Sequence, residues 1–123
     1  MIKNILLVAI GGGTGSVLRY LTSVLTSKYF TSTFPLGTFV VNIVGCLIIG
    51  ILTGLFYKSS MTSPDLKILF ITGFCGGFTT FSAFAQENIN LMQSNNLVTA
   101  IIYTTLSVVV GLTFVWIGLL MTK

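Results

Sequence analysis

Apolar residues run along this chain in four long stretches, at about residues 3–29, 36–57, 66–92 and 97–121, separated by short connections richer in polar residues. Each stretch meets the roughly 20 apolar residues that a helix needs to cross a bilayer. The two prolines, Pro35 and Pro64, both fall in connections, where a missing amide hydrogen costs a helix ladder nothing. Tyr29, Phe30 and Phe34 flank the first connection, and Phe56 with Tyr57 the second, as expected for aromatic belts at the membrane interface. The first and third stretches are longer than a straight span requires, and each holds a glycine cluster: Gly11-Gly12-Gly13-Thr14-Gly15 and Gly73-Phe74-Cys75-Gly76-Gly77. Close helix packing accounts for the first cluster and a broken helix for the second. The pattern therefore predicts an all-α membrane protein of four transmembrane helices, the third broken near its middle, with residues 1–123 forming a single membrane domain. The first stretch is too long and too interrupted for a cleavable signal, so it is expected to stay in place as a helix.

Composition agrees with a bilayer as the solvent. The chain is 54% hydrophobic and 7% charged, whereas a soluble domain carries about 25% charged residues. It contains no histidine, which excludes Ser/His or Cys/His catalysis and any His-based metal site. Cys46 and Cys75 both lie within predicted spans, so a secreted-type disulfide framework is not expected. The net charge of +4 comes from too few residues to make a nucleic-acid surface. Those charges bear on orientation: Lys3, Lys58, Lys67 and Lys123 fall on one side and Lys28 alone on the other, which favours both termini in the cytoplasm.

Against this apolar background a few residues do not suit lipid. Arg19 and Glu87 lie within spans, where a central charge costs about 2.5–3.5 kcal/mol on insertion scales. Sixteen residues from Lys3 is roughly 24 Å of helix, which puts Arg19 near the far interface, with Glu87 on that same side. They read either as a structural ion pair or snorkelled anchors, or, for Arg19, as a vestibule charge that attracts anions. Asn42 shares a face with Thr38 and Gly45; its amide either donates to an anion or joins two helices. Tyr103, Ser107 and Gly111 recur every four residues as a second stripe, a packing face or a track of hydroxyl donors. In the third stretch Phe81 and Phe84 share a face with Ser82 nearby, and aromatic rings carry a positive edge that can stabilise a small anion. The alternative for the Phe pair is ordinary packing. Unwound backbone at the break would expose carbonyls as cation ligands. The pairs Gly11/Gly15 and Gly50/Gly54 have the small-xxx-small spacing of helix contact faces.

Taken together, GGGTGSVLRY at 11–20, PLGTFVVNIVG at 35–45 and GFCGGFTTFSAF at 73–84 resemble the Fluc (CrcB-like) family of bacterial fluoride channels, over essentially the whole chain. The resemblance implies a multi-pass protein of the bacterial cytoplasmic membrane that exports fluoride passively and relieves fluoride toxicity. It implies an antiparallel homodimer with two fluoride pathways, each lined by Phe81, Phe84, Asn42, Tyr103 and Ser107, with Thr38 and Ser82 alongside. It also implies a structural sodium ion at the dimer interface, held by the backbone carbonyls of Gly76 and Thr79 from both subunits. Two positions depart from the family pattern: Ala83 and Gly111 stand where hydroxyl residues are common, which removes donors from the polar track. The lysine count, for its part, favours one orientation, whereas the resemblance implies both.

Two other readings remain at this stage. A small proton-coupled drug or cation exporter would need an embedded carboxylate, for which only Glu87 is available. A non-transporting helper subunit would use the glycine faces and tolerate changes at Asn42 and the Phe pair. An enzyme is not expected from a chain without histidine and with one carboxylate in its spans.

Overall fold

The structure, a computed structural model, describes residues 1–59 and 63–123; residues 60–62, in the second connection, lie outside the described residues. Four helices are long and apolar enough to cross a membrane: Ile2–Tyr29, Leu36–Lys58, Pro64–Gln93 and Leu97–Leu120. The first two are unbroken and are named α1 and α2. The third span is composite. It opens as α3 (Pro64–Lys67), widens into a π-helix over Ile68–Cys75, tightens again as α4 (Gly76–Phe78), and resumes after Thr79 and Thr80 as α5 (Phe81–Gln93). The last span is α6 (Leu97–Leu120).

Local chemistry fixes the ends. Ser63 caps α3 by accepting the Asp65 amide, with Pro64 in the first turn where no donor is needed. Asp65 also receives the Lys3 ammonium at 2.9 Å, tying the start of the third span to the start of α1. At the other end of that span Asn95 takes a left-handed φ of 60°, and the Asn96 amide reaches back to the Leu91 carbonyl at 2.8 Å, closing α5 in a Schellman turn.

Two helix pairs carry the packing: α2 lies along α6, and α1 lies along the π-helical segment and α4. Missing side chains make both approaches possible. A Cβ on Gly15 would strike the Phe74 carbonyl, and one on Gly77 the Gly12 carbonyl; on the other pair, a Cβ on Gly50 would strike the Val115 carbonyl and one on Gly118 the Leu47 carbonyl. In a bilayer lipid already surrounds apolar side chains, so close backbone approach and dispersion hold helices together. Large apolar residues accordingly point outward along α1 and α6, among them Ile5, Leu25, Leu112 and Trp116. The buried core is small and sits where α5 meets α6, around Leu91, Ala100 and Tyr103, with Phe34, Phe39 and Phe84 packed on it.

Candidate functional site

The break in the third span is the centre of the polar chemistry. At Thr79 and Thr80 the backbone turns to extended geometry, with ψ of 160° and 126°. A continuous helix would send the Thr80 amide to the Gly76 carbonyl and the Ala83 amide to the Thr79 carbonyl. Neither does so. The Thr80 N–H donates to Asn42 Oδ1 at 2.8 Å, and the Ala83 N–H donates to the Thr80 hydroxyl oxygen at 3.2 Å. Asn42 completes the clamp by donating Nδ2 to the Thr80 carbonyl at 3.1 Å. Gly76 and Thr79 are among the residues whose carbonyls are left without helical donors, and both line an open groove.

That groove, about 610 Å³, runs between α2, the break and α6; it is lined by Asn42, Cys46, Thr80, Phe81, Phe84 and Ser107 among others. Phe81 stands 79% exposed beside it. The Phe81 and Phe84 rings lie 5.7 Å apart at 40°, and Phe84 leans on Tyr103 at 5.1 Å. Ser107 supplies the one buried side-chain oxygen among the described residues that has no hydrogen-bond partner. Ser82 pairs with the Thr80 hydroxyl at 3.3 Å. Gly111 lies close to Cys46, whose Sγ would sit 3.4 Å from an added Cβ, so α2 packs against α6 at the position where a hydroxyl is missing.

A second polar cluster joins three residues distant in sequence. The Thr38 hydroxyl donates to Glu87 Oε1 at 2.5 Å, and the fully buried Tyr103 hydroxyl donates to Oε2 at 2.7 Å. At the next residue of α5, Asn88 Oδ1 accepts from the Thr104 hydroxyl at 2.9 Å. On its outer side Glu87 borders a hydroxyl-rich recess of about 190 Å³ that includes Ser23, Thr26, Ser27 and Ser32. Two hydroxyl dipoles aimed at the carboxylate offset part of the repulsion it would exert on an approaching anion.

Of the readings left open for Arg19 and Glu87, the ion pair between them does not form among the described residues. Arg19 Nε donates to the Gly77 carbonyl at 3.0 Å, supported by the Ser16 hydroxyl at 3.4 Å. The expectation of a place near the far interface is corrected with it. α1 and the third span start level at the Lys3–Asp65 pair, and helical side chains lean toward their own N-terminus, so the guanidinium comes level with the break. Asn42, whose role was open between anion donor and helix joint, spends its carbonyl and one N–H on the Thr80 backbone and keeps a second N–H.

Thr80 and Ser16 were not singled out from sequence. Thr80 had a legible signal, a threonine just ahead of a helical run, which is the pattern of an N-cap. Ser16 had none beyond its place three residues before Arg19. No group of three or more His, Cys, Asp or Glu residues that could hold a metal occurs among the described residues.

Four spanning helices, one of them interrupted by an extended pair of residues whose backbone is clamped from a neighbouring helix, define a small membrane protein with a largely apolar groove that holds a few polar groups at the break. The chain belongs to the CrcB-like protein, Camphor Resistance (CrcB) family, whose model matches residues 6–119. It is 54% identical to a fluoride-specific ion channel FluC of Flavobacterium psychrophilum, covering 98% of each chain. It is 49% identical to the FluC of Azobacteroides pseudotrichonymphae over 100% of this chain and 98% of that one, and 46% identical to the FluC of Methylobacillus flagellatus over 98% and 94%.

Proposed function

We propose that this protein is a fluoride channel of the bacterial cytoplasmic membrane, letting fluoride leave the cell down its gradient with no covalent step. The observation that carries this reading is the groove at the break. There a buried hydroxyl without a partner (Ser107), a spare amide N–H (Asn42) and a largely exposed aromatic ring (Phe81) converge within an apolar wall. Hydrogen-bond donors and ring edges, with no fixed positive charge, suit a small anion that must be held weakly enough to leave. The full-length relatives named as fluoride-specific channels support the same ion. They lend nothing to a proton-coupled exporter, and Glu87 has both oxygens engaged by hydroxyls.

The working unit is an antiparallel homodimer. One chain leaves the groove open to lipid and Phe81 exposed, and a polar path must be shielded by protein. A second copy would supply that wall and bring the Gly76 and Thr79 carbonyls of both chains together. That oxygen set suits a sodium ion, which would hold the two breaks together through dipoles alone. Arg19 then acts as a positioning residue that fixes the Gly77 carbonyl and, with it, the break.

Anion efflux from liposomes tests the function directly. Wild-type protein should release fluoride and retain chloride, and Phe81→Ile should lose fluoride release while folding normally. Well-folded protein that releases no fluoride would overturn the channel reading.

A further inference from the structure

As the second and fourth spans of one chain, α2 and α6 run the same way through the membrane, and they keep one register along their length. Thr38 and Tyr103 meet on the two oxygens of Glu87, and three turns further a Cβ on Gly50 would strike the Val115 carbonyl. The same spacing in sequence sets Asn42 level with Ser107 and Cys46 level with Gly111, one helical turn apart. Direct contact bears out the second of these levels: Cys46 Sγ lies 3.4 Å from where a Cβ on Gly111 would stand.

The two levels differ in what α6 offers an anion. At the first, Ser107 brings a buried hydroxyl oxygen without a partner, and Asn42 adds its spare amide N–H. One turn nearer the C-terminus α6 has only Gly111, with no side chain to donate anything. There the donor comes from α2. Asn42, Gly45, Cys46 and Ile49 share one face of α2 and line the groove together. Cys46 is the last of them whose side chain carries a polar proton before that wall becomes Ile49. Its thiol is free and half-buried, and it makes no hydrogen bond among the described residues.

A free thiol keeps its proton at neutral pH, so this S–H is available as a donor, although a weaker one than a hydroxyl. We infer that Cys46 is a hydrogen-bond donor of the fluoride path, supplying from α2 what α6 lacks at Gly111. Fluoride that leaves the Asn42–Ser107 level meets the thiol one turn on. A weak donor there holds the ion less firmly than a hydroxyl does, which suits an ion that must move on. The inference rests on the channel reading above and adds one contact to it.

Fluoride efflux from liposomes separates a donor from a packing residue. Cys46→Ala removes the donor and should slow efflux on the order of tenfold, the scale of one hydrogen bond to a charged group. Cys46→Ser restores a donor and should recover most of that loss. Adding Gly111→Ser to Cys46→Ala puts a hydroxyl back from α6, in the space the sulfur has left, and should also recover efflux. Gly111→Ala in the same background returns volume without a proton and should not. In the wild type, methyl methanethiosulfonate turns the S–H into S–S–CH3 and should slow release; Cys46→Ser should resist it although Cys75 remains. Equal efflux from wild type and Cys46→Ala, equal slowing in the Ala and Ser variants, or recovery with Gly111→Ala overturns the inference and leaves the channel reading in place. Undiminished release from wild type that mass spectrometry shows to be capped at Cys46 overturns it too, even where the Ala variants do not fold. Wild-type protein that releases no fluoride overturns the channel reading itself, and this inference with it.

Discussion

Asn42 shows how one side chain shapes the site. It does for the third span what a helical turn would otherwise do, meeting both the amide and the carbonyl of Thr80. Asn42→Ala leaves both groups without partners at membrane depth, and each unsatisfied buried group costs about 1–3 kcal/mol. The variant should lower the thermal midpoint in detergent by several degrees and reduce fluoride efflux; unchanged stability would show that the break holds itself open. Glu87 gives the opposite expectation. In Glu87→Gln one of the Tyr103 and Thr38 hydroxyls keeps an oxygen acceptor while the other faces the amide NH2 and must turn to accept from it, a change of about 1–2 kcal/mol. Fluoride efflux should persist in this variant, whereas a proton-coupled exporter would stop. Neither cluster was legible as a cluster. The sequence marked Thr38, Asn42, Glu87 and Tyr103 as polar residues in apolar surroundings, but their pairing spans up to 49 positions and depends on how the helices cross.

At the scale of elements, the same residue type has two different uses. Gly77 sits against the Gly12 carbonyl, and backbone on both sides leaves no flexible side chain to yield. Gly13 has nothing within 4 Å of where a Cβ would stand. Gly77→Ala should therefore cost about 1–3 kcal/mol or more, as overpacking does. Gly13→Ala should be neutral or gain up to about 1 kcal/mol from helix propensity. Thermal unfolding of the two variants side by side checks this, and equal effects would mean that α1 does not approach the third span so closely. The four spans were readable because length and apolarity are local properties. The break was expected from the glycines of 73–77, yet the backbone leaves the helix two residues later, at Thr79. Those glycines instead let α1 in: Gly73 faces Gly11 and Gly77 faces Gly12. The π-helix over Ile68–Cys75 left no trace in the pattern of apolar positions, because a change from four-residue to five-residue hydrogen bonding does not require particular residue types.

For the whole molecule, the open question lies between charge and assembly. Lys3, Lys58, Lys67 and Lys123 fall on one side of the spans, and the positive-inside rule would turn every copy the same way. One of the four is already neutralised, since Lys3 is held by Asp65. The remaining bias is three lysines against Lys28 opposite, a small difference when each residue contributes only weakly to orientation. In the proposed assembly the exposed groove would be completed by a partner inverted about an axis in the membrane plane, which sets break against break when the axis passes at the depth of the break. An isologous pair of this kind requires both orientations in one membrane. Ser94 lies in the exposed turn between α5 and α6, on the side away from both termini. Ser94→Cys, treated in intact cells with a membrane-impermeant maleimide, should label roughly half of the copies, the rest becoming reactive when the membrane is permeabilised. Labelling of nearly all copies or of none would establish a single orientation. The antiparallel arrangement would then be overturned, and any pair would have to be related by an axis along the membrane normal.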